Sequence, residues 1–449
     1  MNKTDLFLER INEVGKKEVP QSVAMRAKVA LLDYIGVTMA GHKEYSDKVS
    51  ALLRSFGDGA GDVYPVGMHR PISMNNAVFL NGLNGHALDF DDGTNAGIIH
   101  LGSPIFSVLL ALAQKNGFDG YALLKAAILG YEASFTMAMT IQPAHKQRGY
   151  HATGTCGLLG IAVAASKVLG LNSVQAKAAF STAALSATGS LKTIEDASEL
   201  KPYNVAKTAL LGLISVQMAL AGFDVPDDSL SGTAGYLSQM YGSDDVEFVS
   251  TLLGGKYAIE KAYIKPYAAC RYTHPAIDIA NDMRAKNNVG QADIESVNIK
   301  TYSLAVAKHD HTEIKGAASA KMSIPYSFAV AYVTGRTSLD AFTVDCLSNR
   351  DVLELTKKVV VEEDSEMTAR FPQETRATVD VYLKNGQALS GNSVLPKGEP
   401  ENPLTLDEAI KKFTDLALYS GKSAKEANEL VEAALNVEDR LPLLLKLLR

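Results

Sequence analysis

Residues 86–104 contain a dense group of side chains that could do chemistry. Three acids, Asp89, Asp91 and Asp92, lie within four positions, and His100 follows a glycine-containing turn. Acids spaced one and two residues apart cannot all lie on one face of a helix. At least one of them must therefore turn inward or cap the next element. The cluster could form a metal site, an acid–base site or a solvent-exposed helix end with capping acids.

The spacing of this cluster does not match the common metal-binding motifs. A calcium loop that began at Asp89 would need oxygen ligands where this chain has Gly93 and His100. No histidine or cysteine stands at zinc-ligand spacing nearby. Elsewhere, His309 and His311 form a His-x-His pair without a third ligand close in sequence. We therefore predict no metal site.

Other polar side chains lie beside apolar or glycine-rich runs. His151 precedes a glycine-rich helix start, where free backbone N–H groups can hold an anion. Lys201 lies at the mouth of a predicted helix, and Lys265 and Arg271 lie among tyrosines where the composition changes. Tyr326 opens an apolar helix, in which a buried tyrosine with a satisfied hydroxyl is the common case. Each residue taken alone is also compatible with an ordinary structural role.

Composition and charge limit the possible classes of protein. A chain of 449 residues exceeds one ordinary core, so two or three domains are expected. The net charge of −6 argues against non-specific nucleic-acid binding and requires a local cationic pocket for any acidic substrate. Three widely spaced cysteines predict no disulfide framework and suit a reducing cytoplasm. The N-terminus lacks the apolar core of a signal peptide, and no transmembrane helix is predicted.

Helical periodicity dominates the first part of the chain, and alternation appears later. Apolar residues recur at helical spacing in segments 23–41, 104–117, 120–139 and 204–223. Glycines mark predicted helix ends at Gly41, Gly117, Gly170 and Gly222. Segments 294–303 and 375–391 alternate apolar and polar residues, as strands do. A two-residue hairpin turn is predicted at Asn385-Gly386 in the second of them. Residues 352–361 have a helical pattern. The predicted fold is mainly α. It has a large all-α domain formed by both chain ends, 1–262 and 401–449, and a smaller inserted α+β lid domain, 263–400.

Seven segments in order resemble the MmgE/PrpD family. They are HALDFDD, RGYHATGTCGLLGIAVAASKVLGL, KPYNVAKTALLG, GFDVP, KPYAACRYTHPAID, SIPYSFAVA and PKGEPENPLT. The family includes 2-methylcitrate dehydratases, cis-aconitate decarboxylases and iminodisuccinate epimerases. The resemblance implies a homodimer, a small carboxylate substrate, and neither a metal nor an organic cofactor.

The resemblance also implies a set of site residues. The catalytic residues that match the family are Asp89, His100, His151, Lys201, Lys265 and Tyr326. We further predict substrate contacts from Thr94, Arg271, Tyr272 and His274. In this scheme, cations stabilise a carbanion beside a carboxylate, and the histidines move protons.

The sequence leaves the individual reaction open. Many relatives have DFDDT or DDGH-R followed by HPG, whereas this chain has Gly93-Thr94-Asn95 and then His100-Leu101-Gly102. A lyase that dehydrates or decarboxylates a small di- or tricarboxylate is our first hypothesis. An epimerase of an iminodisuccinate-like dicarboxylate is the second, and a non-catalytic dimeric carboxylate-binding protein is the third.

Overall fold

The computed structural model describes residues 1–57, 61–195, 198–287 and 289–449, and the described chain is mainly α-helical. The helices that precede residue 262 are α1 (Lys3–Lys16), α2 (Gln21–Glu44), α3 (Ser46–Phe56), α4 (Met74–His86), α5 (Gly102–Asn116), α6 (Gly120–Ile141), α7 (Ala144–Gln147), α8 (Ala152–Val168), α9 (Ser173–Leu185), α10 (Lys192–Glu195), α11 (Tyr203–Leu220) and α12 (Tyr236–Met240). The four helical segments predicted in this region are confirmed as parts of α2, α5, α6 and α11.

The glycines behave in two different ways. Gly117, Gly170 and Gly222 follow α5, α8 and α11 with positive φ angles of 68°, 63° and 81°, as expected for helix C-termini. The prediction that α2 ends at Gly41 is wrong, because the helix continues to Glu44. A Cβ at Gly41 would lie 2.0 Å from the carbonyl oxygen of Asn84 in α4. Gly41 therefore allows α2 and α4 to approach closely.

The later part of the chain combines short helices with a small sheet. Its helices are α13 (His274–Lys286), α14 (Ser303–Val306), α15 (Ala317–Met322), α16 (Ile324–Thr334), α17 (Val344–Leu347), α18 (Arg350–Thr356), α19 (Ser365–Arg370), α20 (Leu406–Tyr419), α21 (Ala424–Leu435) and α22 (Val437–Leu447). The strands are β1 (Ile294–Thr301), β2 (Val359–Glu363), β3 (Ala377–Leu383) and β4 (Ala388–Ser393). They form one sheet in the order β2-β1-β3-β4, with β2 parallel to β1 and the other pairs antiparallel.

Two details of the sheet differ from the sequence prediction. Residues 359–361, predicted as helical, form part of β2, since a run of three valines favours a strand and pairs with Val297 to Ile299 of β1. The β3–β4 hairpin turns at the predicted residues, but Leu383 and Gln387 form the pair that closes it, with the Leu383 N–H donating at 2.8 Å, so the loop has three residues, 384–386, rather than two. Gly386 has a φ of 86°, and its N–H donates to Leu383, which is typical of a three-residue loop.

Two apolar clusters make up most of the core. The larger cluster joins residues of α1–α6, α8, α9, α11 and α12 with Phe413, Ala427 and Leu441 of the C-terminal helices. The second cluster covers the sheet with α13 and α16 and also includes Phe90 and Leu416. The boundaries at 262 and 400 stay a prediction. No helix in the described part of the chain has the length and apolar character needed to cross a membrane.

A buried ion pair connects the two ends of the chain. Lys412 of α20 lies 2.5 Å from Asp33 of α2, and both side chains are less than one-tenth exposed. The same ammonium donates to the carbonyl of Phe90 at 2.9 Å and lies 3.9 Å from the centre of its ring. Helix α20 therefore contacts both the N-terminal helices and the segment that follows α4.

We expect Lys412→Met to lower the free energy of unfolding by about 3–5 kcal/mol, because it leaves the Asp33 carboxylate buried without its partner. The neighbouring Lys411 is exposed and pairs with Asp415 on the surface of the same helix. Lys411→Met should therefore cost less than about 1 kcal/mol. Urea denaturation of the two variants measures the difference, and equal effects would contradict a structural role for the buried pair.

Candidate active site

Asp89 lies at the centre of the site with two lysines on one of its oxygens. Its Oδ1 accepts hydrogen bonds from Nζ of Lys201 at 2.7 Å and from Nζ of Lys265 at 2.9 Å. Lys265 is 1% exposed and also donates to the backbone carbonyl of Asp89 at 2.7 Å. The backbone of Asp89 has a φ of 52°, a left-handed conformation that costs energy for a non-glycine residue. Lys265 therefore fixes both the strained backbone and the side chain.

Opposite charges keep this cluster ionised despite its burial. Burial by itself raises the pKa of Asp89, but Lys201 and Lys265 outweigh it and hold that pKa well below its ordinary value. Burial likewise opposes the charge on Lys201, and Asp89 reverses the effect and raises the pKa of this lysine. One oxygen of the carboxylate, Oδ2, is buried and has no partner among the described residues. Two ammonium groups and one carboxylate give the cluster a net positive charge, and Oδ2 of Asp89 can still accept a hydrogen bond.

Two more lysines hold the backbone on either side of Asp89. Lys321 of α15 donates to the carbonyl of Leu88 at 3.1 Å, and Lys412 donates to the carbonyl of Phe90. These carbonyls follow the C-terminus of α4, where backbone acceptors lack helical partners and cations are favoured. Sequence reasoning did not identify Lys321 or Lys412, since neither stands in a distinctive motif.

The other two acids of the cluster, Asp91 and Asp92, accept hydrogen bonds from different partners. Asp91 accepts from Nδ1 of His86 at 2.8 Å and from the hydroxyl of Ser103 at 2.9 Å. Asp92 accepts from Tyr131 at 2.6 Å and from the backbone N–H of Gly102, the first residue of α5. Burial raises the pKa of Asp92 to about 6. Asp92 thus caps α5, whereas Asp89 and Asp91 turn inward. Both outcomes are ones that the spacing of the acids predicted.

Three imidazoles are grouped beside the lysines. The ring centres of His86 and His100 are 4.5 Å apart, and the centre of His151 lies 6.3 and 6.4 Å from them. Nδ1 of His100 donates to the carbonyl of Asp92 at 2.8 Å, which leaves Nε2 as its atom for proton transfer. His151 is the N-cap residue of α8, as predicted, and its Nδ1 is buried without a partner among the described residues.

Burial keeps two of these rings neutral. Burial lowers the pKa of His86 to about 4, with Asp91 opposing this effect. Burial, reinforced by His86, His100 and Lys201, places the pKa of His151 well below its ordinary value. A neutral imidazole can accept a proton, so His151 has the protonation state of a general base at neutral pH.

A cavity of about 280 Å³ opens onto these groups. Eight of the ten predicted site residues line it: Asp89, Thr94, His100, His151, Lys201, Lys265, Arg271 and Tyr272. Among the described residues, its wall carries five cationic side chains, including Lys146 and Lys308, and the single carboxylate of Asp89. The wall is therefore cationic although the whole chain has a net charge of −6. Such a wall attracts organic anions.

The structure does not bring Tyr326 or His274 to this cavity. Tyr326 is fully buried in the second apolar cluster, and its hydroxyl donates to the carbonyl of Ala341 at 2.8 Å. Nδ1 of His274 accepts from Arg271 at 2.8 Å, while its Nε2 donates to the carbonyl of Ala269 at 3.2 Å. Hydrogen bonds within the protein thus occupy the polar atoms that the sequence prediction assigned to catalysis and substrate binding.

Arg271 lines the cavity, but its guanidinium hydrogen bonds all go to other groups of the protein. Its guanidinium donates twice to Glu399, at 2.6 and 3.0 Å, and once to His274. The remaining bonds go to the carbonyls of Pro396 and Lys397. These five bonds use all the N–H groups of an arginine. Arg271 therefore fixes the turn at 396–399 against the cavity instead of presenting a free fork to a carboxylate.

Four side chains have the geometry of a cation site. His86, Asp89, Asp91 and His100 each offer one ligand atom, and these atoms lie within 4.8 Å of one another. However, Asp89 already accepts from two ammonium groups, and Asp91 already accepts from His86. A divalent cation at this position would be repelled by both lysines, so the group does not suit a metal ion.

Sequence reasoning missed several residues that line the cavity. Lys146 lies on α7, His309 donates through Nδ1 to the carbonyl of Met322, and Cys270 follows Lys265 by five residues. His309 was weighed only as half of a metal-binding pair. Lys146 stands two residues before the RGYHATG segment, which begins at Arg148. Proximity to that motif was the available signal.

Two protein-family models together match most of the chain. Residues 7–249 match the model of the MmgE/PrpD N-terminal domain, and residues 267–437 match that of the MmgE/PrpD C-terminal domain. The cis-aconitate decarboxylase-like protein oryM of Aspergillus oryzae is 25% identical over 91% of this chain and 89% of its own length. The cis-aconitate decarboxylases of Homo sapiens and Mus musculus are 24% and 22% identical, covering 97% and 98% of this chain and 92% and 90% of their own.

We expect Arg271→Met to lower the free energy of unfolding by about 3–5 kcal/mol, because Glu399 is 2% exposed and loses its countercharge. Arg336→Met is the matched control, since Arg336 pairs with the exposed Asp345 at the surface and its loss should cost less than about 1 kcal/mol. Urea denaturation of both variants tests this role. A fully stable Arg271→Met protein would instead favour the substrate contact predicted from the sequence.

Proposed function

This chain belongs to the MmgE/PrpD family, as its motifs predicted, and we propose that it is a cofactor-independent lyase acting on a small di- or tricarboxylate. The observation that carries the proposal is the buried Asp89–Lys201–Lys265 cluster on the wall of a cationic cavity that also holds His100 and His151. Decarboxylation of cis-aconitate or a similar acid is the first reaction to test, because the curated relatives described above carry that name.

The two lysines supply what such a reaction needs most. Removing carbon dioxide or a proton next to a carboxylate puts further negative charge on a group that is already negative. Ammonium groups fixed before the reaction stabilise this charge without reorganisation, and this effect is often the largest contribution to catalysis. Lys201 and Lys265 are fixed by Asp89, and their shared carboxylate leaves a net positive charge for the substrate.

The histidines complete the proposed reaction. In decarboxylation, the bond to the departing carboxylate breaks and carbon dioxide leaves, the electron pair of that bond passes to the adjacent carbon, and His100, which enters the step as the imidazolium, then protonates that carbon through Nε2. In dehydration, His151 as a neutral base removes a proton from carbon while His100 protonates the departing hydroxyl, which leaves as water. Asp89 keeps both ammonium groups in place. His274 and Glu399 act indirectly by holding Arg271 at the cavity wall.

A second candidate function rests on the spacing of the two histidines. His100 and His151 both line the cavity, with ring centres 6.4 Å apart, so two proton-transfer groups can reach one bound substrate. This arrangement suits an epimerase of a dicarboxylate. Homodimer formation and a cytoplasmic location stay predictions from the family resemblance and the composition.

We expect Lys265→Ala and His151→Ala each to reduce turnover at least about 100-fold, since each removes a group that stabilises charge or moves a proton. The assay follows carbon dioxide released from cis-aconitate and water lost from 2-methylcitrate. Lys115→Ala, which changes an exposed surface lysine, is the control and should keep the activity of the unchanged protein. Near-normal rates in both site variants would refute the assignment. Absence of turnover across all acids tried would favour the binding-protein hypothesis.

Incubation of the same acids and iminodisuccinate in deuterated water separates the lyase from the epimerase. A lyase should release carbon dioxide or form a new double bond. An epimerase should return the substrate skeleton unchanged, with deuterium at the carbon next to a carboxylate. Mass spectrometry of the recovered acids measures the outcome, and deuterated substrate without any lyase product would overturn the primary proposal.

A further inference from the structure

Lys146 is a cation on the cavity wall that the mechanism above does not use. It lies on the short helix α7 and is half-buried. Its Nζ donates to the hydroxyl of Tyr272 at 2.8 Å and lies 4.9 Å from the centre of that ring. Tyr272 in turn packs against His309, with ring centres 5.2 Å apart. This part of the wall shares no side chain with the Asp89 cluster.

The countercharges in the cavity distinguish Lys146 from the catalytic lysines. Lys201 and Lys265 share Asp89, and Arg271 is paired with Glu399. Among the described residues, no carboxylate pairs with Lys146, and the hydrogen bond of its Nζ goes to Tyr272. A half-buried ammonium without a countercharge gains most from a ligand that brings one.

The neighbours of Lys146 are arranged as donors. Because the Tyr272 oxygen accepts from Lys146, its own O–H proton can be donated to a ligand. His309 adds no charge here, since burial lowers its pKa to about 4, and its Nδ1–H is already donated to Met322. The positive charge and the free donors at this position therefore come from Lys146 and Tyr272.

We propose that Lys146, together with Tyr272, binds a carboxylate of the substrate other than the one that Lys201 and Lys265 stabilise. A cavity of about 280 Å³ is at the small end for ligand sites, so one small metabolite can reach both groups. Lys146 is then the residue that distinguishes tricarboxylates from dicarboxylates. This inference rests on the proposed function, because it assumes that the cavity binds carboxylic acids.

Binding of unreactive acids tests the inference without turnover. The probes are propane-1,2,3-tricarboxylate, glutarate, which lacks its central carboxylate, and 2-methylsuccinate, which lacks a terminal one. In Lys146→Met, affinity for the tricarboxylate should fall roughly 10- to 100-fold, the usual effect of losing a hydrogen bond to a charged group. Affinity for at least one dicarboxylate should change less than about threefold. Lys167→Met, an exposed lysine of α8, is the matched control and should bind all three probes normally.

The outcomes separate this inference from the proposed function. If the unchanged protein prefers the tricarboxylate and Lys146→Met loses that preference, the inference is supported, and retained dicarboxylate binding shows that the variant is folded. An undiminished preference in Lys146→Met, or an equal loss for all three acids, would overturn the inference alone. Isothermal titration calorimetry that detects no binding of any probe to the unchanged protein would overturn both.

Discussion

The site depends on how the chain segment at 88–90 is held by positive charge. This segment follows the C-terminus of α4, so its carbonyl groups have no helical partners. Four lysines from distant parts of the chain donate to it: Lys201, Lys265, Lys321 and Lys412. Burying several ammonium groups together is costly unless acceptors surround each of them. The carbonyls of Leu88, Asp89 and Phe90 and the carboxylate of Asp89 provide acceptors for all four, so the segment and the lysines stabilise one another.

This arrangement explains how an acidic protein builds a cationic cavity. One carboxylate shared by two lysines leaves a positive charge on the wall. A second carboxylate, that of Glu399, is buried behind the wall, where it accepts hydrogen bonds from both Arg271 and Asn95 and so fixes Arg271 in place. The lysines that we propose act on substrate are thus separated from Arg271, which holds the cavity wall together. A family resemblance cannot separate the two roles, because both use a basic residue in a recognisable motif.

The same burial that positions the site also sets its proton chemistry. His86 and His151 are neutral because charging them would require solvation that the interior does not provide. Asp91 orients His86 but does not charge it, and the backbone carbonyl of Asp92 orients His100. Several reactions next to a carboxylate can use such a set of fixed cations and neutral bases. Under the proposed function, the choice among them depends on where the carboxylates of the substrate bind, which gives the wall around Tyr272 its importance.

The sequence alone determined four of the long helical segments, the family and eight of the residues that line the cavity, because helical periodicity and motif order are local properties. It did not determine the strand β2, whose pairing with β1 is a tertiary contact, nor the helix end at Gly41. It also could not show that Arg271 is paired with Glu399, 128 residues away. Lys146, Lys321 and Lys412 resemble surface lysines in sequence. Only the tertiary structure places them against buried carbonyls or a cavity wall, since burial of a charge depends on partners that no local pattern reveals.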